Sequence, residues 1–265
     1  MDLGKNLENA FNYAKQMVTD AGRWIILIIL NIIPIVNFIA LGYFARVIKE
    51  TPSSGTPPKL ERYGDMWVQG LKIVVALLIY MIVPLIIFGV GIAALVASGI
   101  GLGMLPWMPG MGPSAMAWPV WIGIAGLFIV VGIIVAFLVA IIATIGIAHM
   151  IKQDRFSKAF AFGEITGIVK RVGWGSYILW LIVIFVISLV FGAIGNIPWI
   201  GWLITLILTP PFGVFVSRSL GLVYEGYEHT EVQAVTVTGE VKYCIQCGSS
   251  MPKQGEYCPK CGAKQ

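Results

Sequence analysis

From Ile73 to Ala148 the chain has no Asp, Glu, Lys or Arg, a gap of 76 residues. Two further stretches lack them, Trp24–Ala45 (22 residues) and Val172–Ser217 (46 residues). Soluble domains carry about 25% charged residues, because their outer faces must meet water. Here the figure is 12%, with 58% hydrophobic residues and a mean hydropathy of +0.86. An ordinary soluble domain is excluded, and a bilayer explains the gaps, since a charge at its centre costs several kcal/mol. The same gaps argue against an ion-coupled transporter, which normally keeps a carboxylate or a base at membrane depth. Paired carboxylates, a nucleophile elbow, a Ser/His/Asp set and a phosphate loop are also missing, so no enzyme activity is expected. The glycines of the GIGLGM stretch lie outside a strand–helix context and do not suggest a nucleotide site. Cysteine is confined to the last 22 residues. No cleavable signal peptide is expected, because the first apolar run begins only at Trp24 and acidic residues precede it.

What is present sets the threading. About 20 helical residues cover a hydrocarbon core of roughly 30 Å, so each of the two longer gaps holds two helices and a connection. All 18 Lys and Arg lie between or outside the gaps. Basic loops stay in the cytoplasm, which places 46–72, 149–171 and the tail from Arg218 there. Four spans in two hairpins follow. Residues 24–45 could make a fifth span. The preferred reading is a re-entrant hairpin broken at Asn31, Pro34 and Asn37, which keeps Lys5, Lys15 and Arg23 on the basic side.

Apolar residues at Leu3, Leu7, Ala10, Phe11, Ala14 and Val18 predict an amphipathic helix over 1–23. It is expected on the inner membrane surface and to run on into Trp24. A second amphipathic stretch, Leu60–Leu71, leads to a helix at Lys72–Ala97, which Pro84 should kink. The irregular, uncharged 98–119 belongs at the outer interface, with Trp107 and Trp118 at headgroup level. Helices are predicted at Val120–Ala148, Ser176–Gly195 and Trp199–Tyr224, the last distorted by Pro210 and Pro211. Residues 24–224 thus form an all-α polytopic membrane domain. Residues 225–240 are a tether, and 241–265 a separate module. There is also an internal echo: Ile33-Pro34-Ile35-Val36 resembles Ile197-Pro198-Trp199-Ile200, and Tyr63-Gly64-Asp65 resembles Phe162-Gly163-Glu164. Duplication and chance similarity both explain it.

The order of an amphipathic helix, then NIIPIVNFIALGYFARV, then Gly-Asp before a second amphipathic stretch and a Gly- and Pro-rich apolar remainder, resembles the DUF4013 family. This is a prokaryotic, largely archaeal family of multi-pass membrane proteins catalogued as a domain of unknown function, and the resemblance covers about residues 5–225. It implies a membrane location and supplies no catalytic residues.

The strongest chemical motif closes the chain. Cys244-x-x-Cys247-Gly and Cys258-x-x-Cys261-Gly present four thiolates from two tight turns, which suits tetrahedral zinc. Ten residues separate the pairs, fewer than the usual 15–20. Disulfides or redox dithiols are the other readings, disfavoured in the cytoplasm. With four sulfur ligands and no open position the zinc should be structural. About 24 residues build no core, so the metal would supply most of the folding energy. The expected partners are membrane lipids and, through the ribbon, another protein. The tail has no aromatic, arginine-rich surface, so nucleic acid is not expected.

Among acidic residues Asp65 and Glu164 stand out, each after Gly and an aromatic. They read as carboxylates near helix starts or, alternatively, as paired gates of an inner vestibule. Asn37 and Asn196 are the polar candidates within the apolar blocks, expected to cap broken helices or to line a solute path. His149 reads as an interfacial cap. Met104, Met108, Met111 and Met116 make a thioether cluster that could take Cu(I), with apolar packing as the default. The leading expectation is a cell-membrane, multi-pass, non-enzymatic adaptor or organiser with a cytoplasmic C-terminus. The alternative is a transporter or exporter of a small uncharged or lipid-like solute.

Overall fold

Long apolar runs without charge can satisfy their backbone in lipid only as helices, and helices are what the chain forms. A computed structural model describes residues 2–97 and 118–226, with 241–243, Gln246 and 250–252. The chain divides into two units, Leu3–Tyr227 and Glu228–Gln265. The first holds helices α1 (Leu3–Thr19), α2 (Ala21–Ile32), α3 (Phe38–Glu50), α4 (Tyr63–Ala97), α5 (Trp118–Gln153), α6 (Phe162–Val172), α7 (Trp174–Gly195) and α8 (Gly201–Glu225). A 3-10 turn at Phe156–Phe160 precedes α6. Of these, α4, α5, α7 and α8 are long and apolar enough to cross a membrane. Within the second unit, β1 (Val241–Tyr243) pairs antiparallel with β2 (Ser250–Pro252), Tyr243 opposite Ser250. The Met-rich cluster, Trp107, residues 227–240 of the tether and all four cysteines lie outside the described residues, while Glu225, counted in the tether, ends α8.

The four long helices form two antiparallel pairs. In the first, Gly132 of α5 lies against Phe88 of α4, and Gly146 against Tyr80. In the second, Phe191 stacks on Phe212 at 4.3 Å between ring centres, and the Trp180 indole donates to Ser219 Oγ at 2.7 Å. The pairs join where α5 meets α8.

The helices differ from their predicted bounds in instructive ways. Of the stretch Leu60–Leu71, residues 63–71 are the first quarter of α4 and not a separate element, and α4 continues through Pro84. At about 1.5 Å per residue α4 and α5 each run about 50 Å, well beyond a hydrocarbon core. The N-terminal helix does not reach Trp24. It stops at Thr19, and Asp20 caps a new helix by accepting from the Arg23 N–H at 3.1 Å. Part of the apolar stripe of α1 packs into the protein: Ala10 and Ala14 are buried together with Tyr13 and Met17, with α8 as the main neighbour. Phe11 and Val18, counted in that stripe, are exposed. The periodicity showed that the helix had a buried face, but could not say whether protein or lipid buries it.

Residues 24–45 do not form one helix. The chain breaks between Ile32 and Phe38, leaving two helices of 12 and 13 residues, each shorter than a hydrocarbon core. Pro34 offers no N–H, and Ile35 takes the left-handed conformation (φ 70°), rare for a β-branched residue. The connection between α7 and α8 repeats the arrangement. Trp199, one residue after Pro198, has φ 68°. In each turn the left-handed residue's carbonyl accepts an indole N–H: Ile35 from Trp67 at 3.0 Å, Trp199 from Trp202 at 3.1 Å. The sequence echo therefore extends to backbone geometry.

Proline also explains a long-range link. Pro211 has no N–H to give the carbonyl four residues earlier, Ile207. That oxygen accepts instead from the Trp24 indole at 2.8 Å, fastening α2 to α8.

Candidate functional site

Polar side chains within the apolar helices mostly satisfy themselves. Asn31, Thr144, Ser188, Thr205 and Thr209 each bond the carbonyl four residues earlier, at 2.7–2.9 Å. Asn196 does the same to Gly192 at 3.0 Å, so it caps its own helix. Asn37 is different. It precedes α3 without making a capping bond, and its Oδ1 is buried with no partner among the described residues.

Polar groups that reach between elements gather at one end of the bundle, where α1, the 51–62 loop, the end of α5, α6 and the end of α8 meet. We call it the charged end. Three clusters lie there. In the first, Asn6 of α1 and Ser219 of α8 bond each other twice, Asn6 Nδ2 donating to the Ser219 carbonyl at 3.2 Å and Ser219 Oγ to Asn6 Oδ1. The Trp180 indole completes the set from α7. All three residues are buried, so every donor needs its acceptor.

The second centres on Arg218, 4% exposed. Its guanidinium donates to the Ser54 carbonyl at 2.8 Å, Asn9 Oδ1 at 3.0 Å and Thr51 Oγ1 at 3.3 Å, and lies 4.4 Å from the centre of the Tyr13 ring. Burial pushes the Tyr13 hydroxyl up to about 12, so it stays protonated and donates to the Thr56 carbonyl. Together these contacts hold the 51–58 loop, which composition alone reads as irregular, against α1 and α8.

The third contains chemistry the sequence did not reveal. His149, near the end of α5, is buried, with Nε2 2.7 Å from Glu164 Oε2 and Nδ1 2.7 Å from the Tyr224 hydroxyl. It is thus a cross-link between α5, α6 and α8, where the sequence suggested an interfacial cap. Lys158 takes the other Glu164 oxygen. Lys158 first, then His149, hold the Glu164 carboxyl below its ordinary range. Lys152 bonds Glu225 at 2.6 Å and donates to the Thr51 carbonyl. A cavity of about 610 Å³ opens beside this group, lined by His149, Lys152, Glu164, Arg171, Tyr224 and Glu225 among others.

Asp65 and Glu164 do not share a vestibule. Asp65, exposed in the first turn of α4, pairs with Arg62 and lines a different cavity of about 680 Å³ beside α3 and α4. In that second cavity Lys49 pairs with Asp154 at 2.7 Å and holds its carboxyl low. What sequence reasoning missed, the pairing of His149 with Glu164 and Tyr224, spans up to 75 residues. The available signal was a histidine one residue beyond an uncharged block, in a chain with only two.

Among the described residues no group of three or more His, Cys, Asp or Glu could hold a metal ion. The proposed ligands Cys244, Cys247, Cys258 and Cys261 are outside that set. A family model described as a protein of unknown function (DUF4013) matches residues 26–200. No curated protein and no solved structure matches the chain.

Proposed function

The chain belongs to the DUF4013 family, and we propose that it is a non-enzymatic membrane adaptor whose helical domain anchors a cytoplasmic zinc ribbon for docking another protein. The observation that carries this reading is the hairpin around the first cysteine pair. Pairing of Tyr243 with Ser250 brings together the two ends of the segment holding Cys244 and Cys247. That is what a turn offering two thiolates to one metal requires. Cys258 and Cys261 would supply the other two, and the ion's role is to hold the module folded. The helical domain supports an anchoring role: polar groups along its spans bond back to their own helices, and its cross-links hold one end rigid.

The test compares the full chain with Cys244→Ser and Cys258→Ser variants, extracted from native membranes in mild detergent after cross-linking. The full chain should carry one zinc and a reproducible protein partner, and both variants should lose both. A partner set unchanged in the variants would sink the docking role. An impermeant thiol reagent should label the tail only after the cells are opened. The transporter alternative draws on the unpartnered Oδ1 of Asn37 in the broken α2–α3 segment. Solute flux in liposomes abolished by Asn37→Ala would favour it.

A further inference from the structure

The cavity between the ends of α5, α6 and α8 has a charge pattern that anchoring does not explain. Glu164 is matched by Lys158 and His149, and Glu225 by Lys152. Arg171, in the last turn of α6, lines the same cavity, is exposed, and makes no hydrogen bond or ion pair among the described residues. We propose that this cavity binds a phosphoryl group, with Arg171 as its cation and Lys152, whose charge already matches Glu225, as a further N–H donor.

The chemistry follows from the donors. A guanidinium forks onto two phosphoryl oxygens, and it keeps its charge at every physiological pH. The Lys152 ammonium has three N–H donors, of which two go to Thr51 and Glu225, so one remains for a ligand. A phosphoryl group has oxygens enough to engage the Arg171 fork and the remaining Lys152 N–H. The two carboxylates in the wall are neutralised by their own partners, so they do not cancel Arg171.

Position names the possible sources. Trp174, half-exposed, stands three residues after Arg171 at the start of α7, where the uncharged run begins. An exposed tryptophan at the edge of an apolar helix marks the headgroup layer. Basic pockets between spanning helices at that depth suit lipid headgroups. A volume of about 610 Å³ admits a headgroup or a small free phosphate ester.

The test uses the full chain in dodecyl maltoside, with thermal unfolding followed by tryptophan fluorescence. Three probes are added at equal concentration: dioctanoyl phosphatidic acid, inorganic phosphate, and dioctanoylglycerol as the phosphate-free control. The wild type should melt about 3 °C higher or more with a phosphoryl probe, through mass-action stabilisation, and be unmoved by the control. Arg171→Ala should melt like the wild type without probe and show no rise with it. Arg171→Lys should keep part of the rise. Should Arg171→Ala fail to fold, Arg171→Gln, which keeps most of the side chain and drops the charge, repeats the comparison. A rise with phosphatidic acid alone assigns a lipid headgroup. A rise with inorganic phosphate as well assigns a free phosphoryl ligand. An equal rise in the charge-free variant, an equal rise with dioctanoylglycerol, or no rise with either phosphoryl probe overturns the proposal.

Discussion

Gly42 and Gly126 both sit inside helices, yet they face opposite circumstances. A methyl group added at Gly42 would collide with the backbone of Met66, whereas one added at Gly126 would meet nothing within 4 Å. The contrast extends to the regions around them. At the charged end Tyr43, Tyr177, Trp180, Met17 and Ile165 are buried, and side chains from different helices bond one another. Toward the other end Leu85, Ile86, Leu127, Phe185 and Val190 are 60% exposed or more. In water that exposure would be ruinous, since each such side chain forfeits roughly 1.5–3 kcal/mol of burial. In lipid it costs nothing. The comparison teaches that two solvents shaped one chain: protein neighbours specify the charged end, while the apolar end need only be long and oily.

The largest effects should come from the glycines that separate the ends. Gly42→Ala and Gly70→Ala each push a side chain into the backbone of the facing helix, at Met66 and Phe38. Either should cost at least about 3 kcal/mol, at the upper end for overpacking, and abolish monodisperse elution in detergent. Gly123→Ala and Gly126→Ala, with open space around them, should elute normally. If all four behaved alike, the contrast would be wrong.

Next comes the buried network. Ser219→Ala leaves Asn6 and the Trp180 indole without their shared partner, at about 1–3 kcal/mol, which thermal melting should register. Ser188→Ala removes only a bond to its own helix and should change melting little. Trp24→Phe sharpens the comparison further, because it strips the Ile207 carbonyl of its donor in the apolar region. A loss of about 1 kcal/mol is expected there. An effect as large as that of Gly42→Ala would show the apolar half to be more tightly specified than its exposure suggests.

The smallest effect is acid sensitivity. Glu164 and Asp154 have carboxyls held below their ordinary range by Lys158 with His149 and by Lys49. A depressed carboxyl stabilises the folded state fully above its unfolded pKa of about 4, and that contribution fades as pH falls through the lower folded value. Melting temperature should therefore be flat from pH 7 to about 5 and decline below about 4. Glu164→Gln and Asp154→Asn should shallow the decline slightly, both pairs being largely solvent-exposed. A decline appearing only in alkali would contradict the assignment.

Much of the apolar half was legible in the sequence, because one rule governs it: charge is excluded and helix follows. The four spans, the break around Pro34 and the turn at Pro198 could all be read that way. The charged end was less legible, since its partners lie far apart in the chain. Nothing near His149 announces Tyr224, and nothing near Asn6 announces Ser219. Asp20 stops α1 through a cap that a continuous helical pattern hides. Gly42 and Gly70 look like ordinary membrane glycines until α3 and α4 are laid together. Asp65 and Glu164, paired by sequence analogy, are separated because each found its own base.

The tie between Trp24 and Pro211 makes two distant positions interdependent. Replacing Pro211 by alanine would return a backbone N–H to the Ile207 carbonyl, and the indole would lose its unique role. Trp24 should then tolerate phenylalanine in that background and not in the native one. A helix breaker has become a fastening point, and whichever of the two residues changes first alters what the other is free to become.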